Sequence, residues 1–216
     1  MVAFFVGKFW IMNDYTRYFS FSALQQEQLQ EMIALYREWN EKINLVSRKD
    51  IDNIFEHHIL HSLVIGKYVS FAPQSTILDV GTGGGFPGLP LAILFPQCSF
   101  TLIDSVAKKI RAVEDIKNRL QLPNVTCICE RAEEEKGLFD FVVSRAVMPL
   151  PDLFKIVRKN ISKVQKNAIP NGIIVLKGGA VDAEIQPFRK LAEVLNVSNY
   201  FKEEFFSTKK IIYLPV

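Results

Sequence analysis

Two rhythms of apolar residues divide the chain. After Ser22 and Gln25, which fit a capping box, Leu29, Met32, Ile33, Tyr36, Trp39, Asn40 and Ile43 recur at helical spacing. A second helix is predicted from Asp50, with Ile51, Ile54, Phe55, His58, Ile59, Ser62 and Leu63 along one side. Residues 22–70 therefore read as a helical N-terminal unit. From Thr76 the rhythm changes to short apolar strands alternating with amphipathic helices. Strands are predicted over 76–80, 99–104, 125–129, 139–144 and 172–177, and helices over 87–95, 105–121, 150–165 and 181–195. This alternation predicts a parallel sheet covered on both faces. The tail breaks it. Residues 199–206 and 210–214 are two strand-like runs, and Ser207, Thr208 and Lys209 between them read as a hairpin connection.

The division expected is an N-terminal segment 1–21, the helical unit 22–70 and one α/β domain 71–216. The first twelve residues, MVAFFVGKFWIM, are apolar but interrupted by Gly7 and Lys8. They fall short of the ~20 residues of a membrane span and lack the flanks of a signal peptide. Met12 reads as a more ordinary start, so residues 1–11 are expected to lie outside the native domain.

The first strand runs into a glycine loop, ILDVGTGGGFPG over 77–88, with Asp79 before it and glycines at 81, 83, 84, 85 and 88. Backbone without Cβ lets a ligand lie directly against the chain. Gly83, Gly85 and Gly88 fit the dinucleotide fingerprint G-x-G-x-x-G, and Asp79, Gly81, Gly83 and Gly85 fit D-x-G-x-G-x-G. A tight strand-to-helix turn that binds nothing would need fewer glycines. Asp104 closes the next strand about 20 residues on, the distance of a carboxylate that takes ribose hydroxyls. Gly81 and Gly83 are expected against the methionine part of a cofactor and Asp104 on its ribose. A doubly wound sheet ending in an antiparallel hairpin is the plan of class I methyltransferases. A dehydrogenase needs a substrate domain for which this chain has no room.

In such sheets ligands bind where strand order reverses, here between the first and fourth strands. Arg145, in SRAVMPL, ends the fourth strand and suits a phosphate, a carboxylate or a guanine edge. A strand-end arginine paired with a surface carboxylate is the alternative. Arg131, Ala132 and Glu133 follow the third strand, and standing alone they read as part of a solvated charge run.

Composition narrows this picture. The chain of 216 residues is 49% hydrophobic and 23% charged, which suits one sizeable core. Net charge is only +3, so a nucleic-acid site must be a local basic patch. Lys108, Lys109 and Arg111 are the candidate. They oppose the dipole at a helix N-terminus, and an arriving phosphate backbone would explain them. Lys155, Arg158, Lys159, Lys163 and Lys166 read as a solvated helix face. Cys98, Cys127 and Cys129 read as small core residues of a reduced, cytoplasmic protein. His57 and His61 share a helix face, but no third ligand is identifiable, so His57, His58 and His61 are assigned to packing and hydrogen bonding, with no metal.

Several segments come in a familiar order: DVGTGGGFPG, IDSVAKKI, RAEE, FDFVVSRAV and LKGG, preceded by WNEKINLVS at 39–47 and HHILHSL at 57–63. Over about residues 20–216 the chain resembles the glucose-inhibited division protein B family, the bacterial small-subunit ribosomal RNA guanine-N(7) methyltransferases. The resemblance implies a seven-stranded Rossmann-like sheet, S-adenosylmethionine as methyl donor and 16S ribosomal RNA or the small subunit as partner. It places Gly81 and Phe86 in the cofactor pocket, Ala132 and Glu133 at the adenine, and Arg145 at the active site. VMPL after Arg145 is bulkier than the small residues expected there. The remaining readings are a nicotinamide-dependent oxidoreductase using the same loop and a non-catalytic RNA-binding protein on a vestigial fold. A cytoplasmic monomer with no membrane contact is expected.

Overall fold

The computed structural model describes residues 17–145 and 147–216. Residues 1–16, with the segment 1–11 singled out above, lie outside the described residues. Helix α1 (Ala23–Lys42) starts at the expected capping box: Ser22 Oγ accepts from Gln25 N, and Gln25 Oε1 accepts from Ser22 N. Its last turn leads through Leu45 and Val46, whose amides both donate to Asn40 Oδ1.

The second helix is not continuous. It consists of a 3-10 turn (Ile51–Asn53), a π-helical segment (Phe55–Leu60), α2 (His61–Leu63) and α3 (Ile65–Tyr68). The expected apolar side nevertheless holds, with Ile54, Phe55, Ile59, Ser62 and Leu63 buried.

The sheet follows: β1 (Thr76–Val80), α4 (Gly88–Leu94), β2 (Ser99–Asp104), α5 (Ala107–Arg119), β3 (Val125–Cys129), β4 (Phe141–Arg145), α6 (Leu150–Val157), β5 (Gly172–Gly178), α7 (Asp182–Ile185), β6 (Glu193–Asn196) and β7 (Lys209–Pro215). Strand order is β3-β2-β1-β4-β5-β7-β6, parallel except for β7, which is antiparallel to both β5 and β6. This is the seven-stranded α/β plan with an antiparallel C-terminal hairpin expected from the sequence.

Alternate residues of each strand feed different cores. Ile77, Phe100, Leu102, Phe141, Val143, Ile174 and Leu176 join one cluster with α4, α5 and the N-terminal helices. Leu78, Val80, Ile103, Val142, Ile173 and Val175 join the other, with α6. The N-terminal helices thus share a core with the sheet, and Tyr18 and Phe19 pack at its edge.

The structure corrects several boundaries. The outer strand of the hairpin is Glu193–Asn196, not 199–206. It carries exposed residues and gives no apolar alternation, as befits an edge strand. The run 199–206 is instead irregular, flanked by 3-10 turns at Val197–Asn199 and Glu204–Thr208. Its aromatics were read as a strand because they are apolar, but Phe201 and Phe206 fold inward as a buried plug. The helix expected over 181–195 ends at Ile185, and a 3-10 turn, Gln186–Phe188, carries Pro187. The helix expected over 150–165 ends at Val157 because the buried Asn160 side chain bonds the carbonyls of Glu135 and Gly137 at 3.1 and 2.9 Å. Lys163 and Lys166 therefore leave the solvated helix face, and Lys166 pairs with Asp140. Cys98 is buried, but Cys129 is exposed at the end of β3 and is not a core residue.

If 197–208 is a plug, truncating it should cost core energy. Phe206→Ala should destabilise the fold by about 3–5 kcal/mol. Urea titration should show a lower midpoint at unchanged slope. A loss below about 1 kcal/mol would mean that the segment merely covers the surface.

Candidate active site

The glycine loop is held by two carboxylates. Asp79 is fully buried at the end of β1, where Oδ2 accepts from Thr82 Oγ1 at 2.6 Å and from Gly88 N at 2.8 Å. Its Oδ1 has no hydrogen-bond partner among the described residues, and burial raises its pKa to about 7. Asp104 ends β2, with Oδ2 accepting from Gly83 N at 2.9 Å and Oδ1 from Val106 N at 2.8 Å. Each oxygen of Asp104 keeps a second lone pair. The loop needs glycine where the chain turns: Gly81 has φ +65, and a Cβ there would lie 2.5 Å from Val147 Cγ2. At Gly83 (φ +57) the nearest atom to a Cβ is Gly81 O at 3.9 Å, so that face is open.

The loop opens onto a cleft of about 480 Å³ at the β1–β4 switch point. Gly81, Gly83, Phe86, Asp104, Ala132, Glu133 and Arg145 all line it, as does Lys109. Lys108 and Arg111 do not. Both are exposed on α5, and neither their side chains nor that of Lys109 has an ion-pair or hydrogen-bond partner among the described residues. The sequence reading missed Tyr36, Leu45, Glu130, Val147 and Met148. Glu130 lines the cleft beside Glu135, and its pKa is raised by burial and by Glu135.

Arg145 is held in a way that sequence spacing could not show. Its Nη2 donates to His58 Nδ1 at 2.8 Å and its Nη1 to the His57 carbonyl at 3.3 Å. The guanidinium lies 4.9 Å from the Phe86 ring centre. The expected alternative, a surface carboxylate partner, is not what the structure has. Burial lowers the Arg145 pKa to about 10, so it stays charged at neutral pH.

For Arg145 to donate, His58 Nδ1 must offer its lone pair, which puts the ring proton on Nε2, 3.9 Å from Asp50 Oδ2. Burial, then the Arg145 charge, push His58 down to about 3, which keeps it neutral. Phe86 in turn stacks on Tyr36, whose hydroxyl donates to the Gly84 carbonyl.

His57 stacks on Phe205 at 3.9 Å, and His61 is buried with its pKa well below the usual range through burial and Arg145. The three histidines pack and hydrogen-bond. Among the described residues, no group of three or more His, Cys, Asp or Glu is arranged to hold a metal ion. Nor is any helix among them long and apolar enough to cross a membrane.

Residues 25–212 match the family model described as rRNA small subunit methyltransferase G. The Ribosomal RNA small subunit methyltransferase G of Bacteroides thetaiotaomicron is 55% identical over 192 residues, covering 89% of this chain and 93% of its own. That of Flavobacterium johnsoniae is 50% identical, covering 95% and 98%. Among solved structures, a ribosomal protein L11 methylase from Lactobacillus delbrueckii subsp. bulgaricus superposes with a TM-score of 0.55 at 16% identity, over 73% of this chain and 77% of its own. A SAM-dependent methyltransferase from Aquifex aeolicus gives 0.53 at 17%, over 74% and 91%. At such identities the structures establish the fold alone.

The neutral His58 gives the site a pH signature. The unfolded chain protonates this imidazole near 6.5, whereas the folded one refuses the proton until about 3. In that window the unfolded state binds more protons, so this group makes stability fall as pH falls. Asp79, raised from 3.8 to about 7, acts in the opposite sense: the folded state holds the extra proton, and its contribution is lost as pH rises through about 7. His58→Asn keeps an acceptor for Arg145 but removes the first effect. On going from about pH 7 to pH 5 the variant should gain about 1–2 kcal/mol of stability relative to the wild type, whatever the net slope that Asp79 imposes on both. Parallel stability curves from urea titrations would show that His58 takes a proton in the folded state.

Proposed function

The chain belongs to the rRNA small subunit methyltransferase G family, and on that footing we propose that its cleft transfers a methyl group from S-adenosylmethionine to N(7) of a guanine in 16S ribosomal RNA. The observation that carries this reading is the cleft itself. It joins bare glycine backbone, a carboxylate-held turn and Arg145 at one switch point. A volume of about 480 Å³ suits a nucleoside-sized ligand. The open face at Gly83 fits such a guest.

In this reading Gly81 and Gly83 present backbone to the methionine part, and Phe86 packs beneath it. The free lone pairs of Asp104 take the ribose hydroxyls. Ala132 and Glu133 flank the adenine. The cofactor supplies an activated methyl group on a sulfonium. With the donor bound, the guanine N(7) lone pair would form the new N–C bond and the C–S electron pair would stay on sulfur. No proton moves, so no general base is needed, and alignment is the protein's main contribution.

Arg145 stays charged and has donors to spare beyond the two it commits to the histidines. We assign it to aligning the reacting groups through a phosphate, a guanine edge or the cofactor carboxylate. Lys108, Lys109 and Arg111, unpartnered beside the cleft, are assigned to RNA phosphates. The same reading has the enzyme act as a cytoplasmic monomer on 16S ribosomal RNA or the small subunit.

Calorimetry should show binding of S-adenosylmethionine and S-adenosylhomocysteine but not of NAD, and a preference for NAD would overturn the reading. Tritiated methyl transfer to undermodified small-subunit RNA, with the product mapped, tests the reaction. Arg145→Lys keeps charge but not the fixed fork of donors, and should lose on the order of a hundredfold in rate while staying folded. Full activity would remove the alignment role.

The basic cluster has a separate signature. Changing Lys108 and Arg111 to Gln should weaken RNA binding and flatten its salt dependence by about one unit of slope per lost contact. Donor affinity should hold. An unaltered slope would return these residues to a solvated helix face.

A further inference from the structure

A second cavity adjoins the first. It has a volume of about 460 Å³ and borders the cofactor cleft, with Val147 and Met148 lining both. Its other walls come from Pro149, the end of β5 (Lys177 and Gly178), Ala180 in the loop that follows, and Ala183 and Glu184 of α7. Two half-buried charges sit in it. Lys177 Nζ donates to the Met148 carbonyl at 2.7 Å and pairs with Glu184 Oε2 at 2.9 Å. The same Oε2 accepts from Leu150 N at 2.8 Å. Glu184 Oε1 has no hydrogen bond among the described residues, and Lys177 has a third N–H to give.

The pair is held by Leu150 N and the Met148 carbonyl, while Glu184 Oε1 and one Lys177 N–H have no protein partner among the described residues and are free to meet water or a ligand. Both residues line the cavity beside the cofactor cleft. Their order along the wall is Glu184, Lys177, Met148, because Lys177 bridges the other two.

Resting on the methyltransferase reading above, we propose that this second cavity receives the target guanine, unstacked from its RNA, and that Glu184 and Lys177 read its edge. Around a guanine the amino group, N1–H, O6 and N7 follow one another. Glu184 Oε1 accepts from the amino group and N1–H, and the spare Lys177 proton goes to O6. The next atom, N7, then falls on the Val147–Met148 side, toward the cofactor cleft. Adenine is rejected: it offers an amino donor to the ammonium and no N1–H to the carboxylate. After transfer the base is a cation, and Glu184 is the carboxylate beside it.

The first test fills the cavity. Ala183 is exposed on its wall, and Ala183→Trp should occupy it without touching the glycine loop. Methyl transfer to undermodified small-subunit RNA should fall tenfold or more, while calorimetric affinity for S-adenosylhomocysteine stays at the wild-type value. The second test probes the edge. A ligated RNA carrying inosine, which lacks the amino group, at the mapped guanine should react about ten- to a hundredfold more slowly with the wild type. Glu184→Gln should be slow on guanine, and its further loss on inosine should largely vanish. Full transfer by Ala183→Trp, or equal inosine penalties in wild type and Glu184→Gln, overturns the guanine pocket and leaves the methyltransferase reading intact. Absence of transfer by the wild type overturns both.

Discussion

The site rests on one column of stacked groups. Tyr36, fully buried on α1, lies under Phe86, which lies under the Arg145 guanidinium, which is gripped by neutral His58. The column takes one member each from the N-terminal helix, the glycine loop, the end of β4 and the π-helical segment. A half-buried cation without a carboxylate partner is expensive, and the structure meets the cost with an aromatic face, an imidazole lone pair and a backbone carbonyl. Those same contacts fix where the glycine loop stands relative to β4. The N-terminal helices are therefore part of the site's geometry and not a lid laid over it.

Carboxylates near the cleft act mostly on backbone. Asp79 and Asp104 hold the two ends of the glycine loop by accepting from Gly88 and Gly83 amides. Glu184 holds the start of α6 through Leu150 N, and with Lys177 it fixes the chain that follows Arg145. This suits a reaction that transfers no proton. Asp79, Asp104 and Glu184 are engaged in shaping the chain around the cleft, and a transfer of this kind asks for alignment above all. Val147 shows how tight that shaping is. Its bulk, out of keeping with the family resemblance, lies directly over Gly81, where any side chain would collide with it.

Much of the fold was legible because it is written in local periodicity. Alternation along β1, β2, β4 and β5 sorts residues between two cores, and the capping box at Ser22 marks the start of α1. The C-terminal hairpin was legible in kind but not in place. Phe201 and Phe206 carry the apolar signal of a strand while serving as a plug, whereas β6 is a four-residue edge strand whose Val194 and Leu195 give no alternation to announce it. Burial, not pairing, selected the aromatics there, and composition alone does not separate the two.

The sequence by itself determined the doubly wound sheet, the glycine loop and part of the cleft lining, including Gly81, Gly83, Asp104 and Arg145, because strand ends and loops are fixed by neighbours in the chain. Only the tertiary structure decided how those residues are held. Arg145 and His58 are 87 residues apart, Tyr36 and Gly84 are 48 apart, and Lys177 and Met148 are 29 apart. Each of these contacts depends on how separate elements pack across the switch point. No local pattern encodes which donor meets which acceptor there, since that choice is made by the geometry of the closed core.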